Sequence, residues 1–109
     1  LSLSHNNISD MDSKCFQNLT SLGTLLLDNN SLQSIHPSWF HNLKWLSHLS
    51  LKSNFIEIIP PQAFKSLSRL SHLDLSRNVL TCLSRETVEG LHRLRTLLLG
   101  GNRLFALDD

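Results

Sequence analysis

The sequence predicts an α/β chain: a right-handed solenoid, a horseshoe segment with a short parallel sheet inside and irregular or turn structure outside. Three observations predict it. Apolar residues recur every 24 positions, a strand-spaced pair of leucines opens each unit, and one asparagine follows that pair at a fixed distance. Such a period means units that cannot bury their apolar face alone and stack to share one core.

The leucine pair comes first. Leu1, Leu25, Leu49, Leu73 and Leu97 form one column, and Leu3, Leu27, Leu51, Leu75 and Leu99 the next. Two positions apart is strand spacing, with both side chains on the inner face. A strand this short needs its copy from the next repeat beside it as a rung of a parallel sheet. The asparagine column is Asn6, Asn30, Asn54, Asn78 and Asn102. An amide donates and accepts, so it can satisfy backbone groups where the chain turns inward. A buried backbone group left unpaired costs about 1–3 kcal/mol.

The second half of each repeat follows. Its columns are Ile8, Leu32, Ile56, Leu80, Leu104; Met11, Ile35, Ile59, Leu83, Leu107; Phe16, Phe40, Phe64, Val88; Leu19, Leu43, Leu67, Leu91; and Leu22, Leu46, Leu70, Leu94. This wider spacing returns the chain along the outer side, where the Phe column is expected to stack as an aromatic spine. All 37 positions in the eight columns hold the asparagine or an apolar residue, in a chain only 40% hydrophobic. Chance does not produce that.

Composition narrows the class of function. Of 109 residues, 25 are Leu and 16 are Ser, and the net charge is +1. No bulk field drives the chain onto nucleic acid or an anionic membrane. Apolar runs such as Leu25–Leu27 are too short to span a bilayer.

These columns, read as L-x-x-L-x-L-x-x-N with a later Phe, resemble the extracellular leucine-rich repeats of the 24-residue typical class. Toll-like receptor ectodomains and variable lymphocyte receptors carry such repeats. The resemblance covers the whole chain and implies a leucine-rich-repeat solenoid. Residues 1–109 read as a single array of about four and a half repeats: 1–21 partial, 22–45, 46–69, 70–93 and 94–109 partial. Without cysteine-rich caps, the chain is expected to be the middle of a longer array.

Residues alternating with the inner leucines line the concave face, where solenoids usually bind. The candidate ligand-binding residues are Asp28, His48, Ser50, Lys52, His72, Asp74 and Arg77. Small polar and mixed-charge groups suit a hydrogen-bonding interface rather than a greasy pocket. The simpler alternative is ordinary soluble surface.

His48 and His72 share a column and are expected side by side at about 4.8 Å. Their protonation would then be coupled. That raises a zinc site or an acid-triggered switch, but further metal ligands are not evident, so no metal and no cofactor are expected. Ser50, His72 and Asp74 also suggest a hydrolase. An open sheet has no oxyanion hole and excludes no water, so no catalytic residues and no enzyme activity are expected.

Beside the sheet, Trp45 shares a column with Ser21, Arg69 and Arg93. Trp45, Arg69 and Arg93 form a possible flank contact, because Trp and Arg are enriched at interface hot spots. Lys44, His92 and Arg95 add to this basic flank. With Glu86 and Glu89 nearby in the chain, binding of nucleic acid is expected to be unlikely. Trp39 is expected to be a partly buried packing residue, and Phe55 falls in an outward or edge column.

Sequons at Asn7, Asn18 and Asn29 mark potential glycosylation and lend weak support to secretion. Three rungs at about 4.8 Å separate Cys15 from Cys82 by roughly 14 Å, beyond the ~7 Å Cα limit of a disulfide. Both are expected to be buried free thiols. The whole implies a non-catalytic recognition module of a secreted or cell-surface receptor, with innate-immune pattern recognition as the expectation that the resemblance adds. Its ligand would be a protein or glycan, with possible receptor dimerisation and no membrane contact by this segment. A structural or scaffold repeat segment and an intracellular adaptor are the alternatives.

Overall fold

The computed structural model describes residues 1–104 and 106–108. Its strands are Thr24–Leu26 (β1), His48–Ser50 (β2), His72–Asp74 (β3), Cys82–Ser84 (β4), Thr96–Leu98 (β5) and Ala106–Asp108 (β6). A 3-10 turn spans Pro37–Phe40, and one helical turn, α1, spans Arg85–Val88.

The principal sheet is parallel, in the order β1-β2-β3-β5. Its register is the sequence period: Leu25 pairs Leu49, Leu49 pairs Leu73, and Leu73 pairs Leu97. An isolated parallel bridge, Ser2 to Leu26, adds the first rung. Leu25, Leu27, Leu49, Leu51, Leu73 and Leu75 are fully buried, as the two-residue spacing requires.

The asparagines do what their amides permit. Asn54 Nδ2 donates to Leu27 O and Leu51 O, both at 3.0 Å, and its Oδ1 accepts Leu32 N at 3.1 Å. Asn30 and Asn78 repeat the pattern, and all three are 4% exposed. At the first rung the support thins: Asn6 is exposed, and its Nδ2 donates to Leu3 O.

Immediately before each asparagine stands a residue in the left-handed region: His5 (φ 63°), Asn29 (55°), Ser53 (60°), Arg77 (56°) and Gly101 (73°). This second column has no compositional signature in the sequence. The outward bend of the chain there imposes it.

The outer side is mostly turn, as expected. Phe16, Phe40 and Phe64 are buried, and the Phe40 and Phe64 rings lie 5.8 Å apart at 37°. Trp39 is more buried than expected, at 2% exposure. It packs edge-on against Phe40, and its Nε1 donates to Met11 O at 3.1 Å. The sequence reading missed a second small sheet, β4 with β6. It is confined to the last two repeats. One repeat earlier, Pro60 occupies the position of Ser84 and has no N–H for a ladder. The side chain of Leu107, expected in the core, lies outside the described residues.

Candidate functional site

The sheet's outward face carries the expected polar residues. His48 and His72 pair in register, and their rings stack at 4.1 Å between centroids, 11° from parallel. Partial burial, then the adjacent His72, hold His48 below its ordinary value of 6.5, against the opposing pull of Asp28 and Asp74. A positive charge on His72 therefore disfavours one on His48.

Around this pair the carboxylates are held differently. Asp74 Oδ1 accepts both the backbone N–H and the hydroxyl of Ser76, which fixes its direction. Asp28 donates its backbone N–H to Ser4 Oγ, while its Oδ1 is shut off from solvent with no hydrogen-bond partner. Lys52 is half-buried in the next rung, and Arg77 is exposed.

Ser50 requires a correction. It was expected to offer a contact, yet it is only 4% exposed. Its register neighbours are Leu26 and Asp74, both larger, and they shade the small side chain between them. Ser50 belongs to the floor of the face. Among the described residues no hydrogen bond joins the side chains of Ser50, His72 and Asp74, and Asp74 Oδ1 is engaged by Ser76.

Beside the sheet, Trp45 is 56% exposed, and the guanidinium carbon of Arg69 lies 3.8 Å from its ring centroid. Arg69, Ser71, His92, Arg93, Leu94 and Arg95 line an open depression of about 640 Å³. Of the expected flank residues, Arg69 and Arg93 line it with Arg95 and His92, Trp45 adjoins it through Arg69, Lys44 is left out, and Ser71 and Leu94 are added. The signal for Ser71 was its place in the column of Gly23, Ser47 and Arg95, where hydroxyl groups bond back across the rungs.

Both cysteines are exposed, contrary to expectation. Cys15 belongs to the first rung and lacks the cover that buries its column mates Trp39, Ala63 and Thr87 to 2% each. Cys82 falls in an outward column beside Ile58, which is 67% exposed. The sequon asparagines Asn7, Asn18 and Asn29 are all exposed. Among the described residues, no helix is long and apolar enough to cross a membrane.

The leucine rich repeat family profile matches residues 1–56, 21–75 and 46–104, and the chain belongs to that family. Repeats of this kind form a fold of recognition and scaffolding. Among solved structures, the leucine-rich repeat domain of APL1B superposes with a TM-score of 0.91 at 27% identity, over 95% of this chain and 32% of that one. Toll in the Drosophila Toll–Spatzle complex gives 0.91 at 25% identity, over 94% and 14%. TLR13 in its complex with ssRNA13 gives 0.89 at 33% identity, over 93% and 14%. The chain therefore resembles Toll-like ectodomains while spanning a third or less of the length of these structures. No curated protein sequence gives a significant match.

Proposed function

We propose that this chain is a recognition segment of a secreted or cell-surface receptor of the innate-immune kind, binding a protein or glycan ligand across its concave face. The observation that carries the reading is the stacked His48–His72 pair, set among Asp28, Lys52, Asp74 and Arg77 on a sheet held in 24-residue register. A rigid face with directed polar groups loses little conformational entropy on binding. Toll is solved with Spatzle, which supports a protein ligand. TLR13 is solved with an RNA, so the near-zero net charge is no ground for setting nucleic acid aside.

The test is capture from extracellular fluid by the full chain. A partner retained by the parent should be lost by the triple variant Lys52→Ala, His72→Ala, Asp74→Ala. It should be kept by Gln33→Ala with Glu57→Ala, which lie outside the sheet. Equal capture by both variants moves the ligand off the concave face.

The exposed thiol of Cys82 favours a second reading, a scaffold segment in a reducing compartment, where free cysteines persist. Glycopeptide mapping after expression through a secretory host separates the two. Glycans at Asn7, Asn18 and Asn29 support the receptor. Bare sequons together with an alkylatable Cys82 support the scaffold.

A further inference from the structure

We infer that the depression beside Trp45 is a docking site for an acidic segment of a partner protein, with Arg69, Arg93 and Arg95 receiving its carboxylates. The site is separate from the concave face, and the inference stands without the reading of that face.

The first support is an imbalance of hydrogen-bonding capacity. Two backbone acceptors along this flank are already occupied. Ser47 O accepts Ser71 N, His72 N and Ser71 Oγ, and Ser71 O accepts Arg95 N and Thr96 N. Three guanidinium groups remain, each a fork of N–H donors. Among the described residues the one contact of salt-bridge length is between His36 and Asp10, so no described carboxylate neutralises any of the three. The nearby Glu89 lines a different depression, with Gln62, Lys65, Gly90 and His92. A surface that offers donors and positive charge is complementary to anionic acceptors.

The second support is pre-organisation. Arg69 lies over the Trp45 ring at 3.8 Å. A cation–π contact restrains a guanidinium without cancelling its charge and leaves its N–H edges free, unlike a salt bridge. An arginine restrained in this way can take a carboxylate through two parallel hydrogen bonds. Arg93 occupies the same column one rung on, and Arg95 lies two residues further along that rung. The positive charge therefore runs along the flank instead of sitting at one point, which suits an extended segment.

The third support decides the class of partner. An exposed Trp with adjacent Arg is the composition of protein–protein hot spots. Leu94 supplies an apolar wall beside the guanidinium groups, where an acidic segment can place an aliphatic side chain. The sequons all fall between residues 7 and 31, in the first two repeats, whereas Arg93 and Arg95 lie in the last two.

The experiment measures fluorescence anisotropy of a labelled hexaglutamate peptide with the full chain at low and physiological salt. A heparin hexasaccharide and an oligouridine of equal charge serve as competing probes. Hexaglutamate should bind. Arg69→Ala and Arg93→Ala should each weaken it about three-fold, and the double variant roughly ten-fold. Trp45→Ala should weaken it through Arg69, whereas Trp45→Phe should retain most of the binding. His72→Ala with Asp74→Ala on the concave face, and Lys14→Ala elsewhere, should leave it unchanged. Circular dichroism of each variant establishes that the fold is intact. Equal binding by parent and arginine variants overturns the inference. So does tighter binding of heparin or RNA that is lost on the same substitutions, which would assign the flank to a polyanion instead of a protein.

Discussion

At the scale of single residues, the interior asparagines carry loads that the exposed one does not. Asn54→Ala strands Leu32 N and removes a donor from Leu27 O and Leu51 O. Leu27 O and Leu51 O keep donors from Asn30 and Asn78, so one buried group is left unpaired and a loss of about 1–3 kcal/mol is expected. Asn6→Ala, at an exposed site with one local side-chain bond, should cost under about 1 kcal/mol. Urea midpoints compare the two, and equal shifts would refute an internal amide column. His48 gives a second expectation. Its folded value lies below 6.5, so the unfolded chain binds more protons as pH falls through that range. The stability of the folded state is therefore greatest above 6.5 and declines below it. An NMR titration should place the His48 midpoint below 6.5, and His72→Gln should move it upward by removing the neighbouring charge. An unmoved midpoint would mean that burial alone sets it. The stacked pair was legible in the sequence because both histidines share a column. The burial of Ser50 was not, because it depends on the bulk of Leu26 and Asp74 on neighbouring rungs, which periodicity does not report.

At the scale of elements, the turn after each strand imposes a constraint that composition conceals. Only the last member of the left-handed column is glycine, Gly101; His5, Asn29, Ser53 and Arg77 bear the strain with ordinary side chains. A Cβ at Gly101 would lie 3.1 Å from Arg77 Cγ and 3.3 Å from its backbone, on top of a φ of +73°. Gly101→Ala is therefore expected to destabilise by about 1–2 kcal/mol. Gly23→Ala meets nothing within 4 Å and should be neutral or stabilise by up to about 1 kcal/mol. Thermal melts of the two variants check the contrast, and a harmless Gly101→Ala would mean that the turn relaxes freely. The strands themselves were legible, since a two-residue alternation repeated in register allows little else. The sheet of β4 and β6 was not, because a strand pairing in the outer segments of the last two repeats leaves no periodic signal. The exposure of Cys82 follows from its column, which also exposes Ile58.

At the scale of the whole molecule, the interior is a chain of nearest-neighbour contacts, and this governs how damage spreads. Each asparagine from Asn30 onward bonds its own rung and the preceding one. Leu51 O is shared, receiving Asn54 Nδ2 and Asn78 Nδ2 at 3.0 Å each. Asn30 and Asn78 have no bonding partner in common, since the former reaches Leu3, Leu27 and Asp28 and the latter Leu51, Leu75 and Ser76. Stability in such an array approximates a sum of rung terms and adjacent-interface terms. A double-mutant cycle on Asn54→Ala and Asn78→Ala should thus show a coupling of at least about 0.5 kcal/mol, because the first substitution already weakens the carbonyl site the second removes. The cycle on Asn30→Ala and Asn78→Ala should be additive within about 0.5 kcal/mol. Chemical denaturation of the four variants and the parent supplies both cycles. Equal coupling in the two would show that the array unfolds around a delocalised core. The same locality lets the flank at Arg69 and the concave face at His72 be altered separately, which the binding experiments on either surface require.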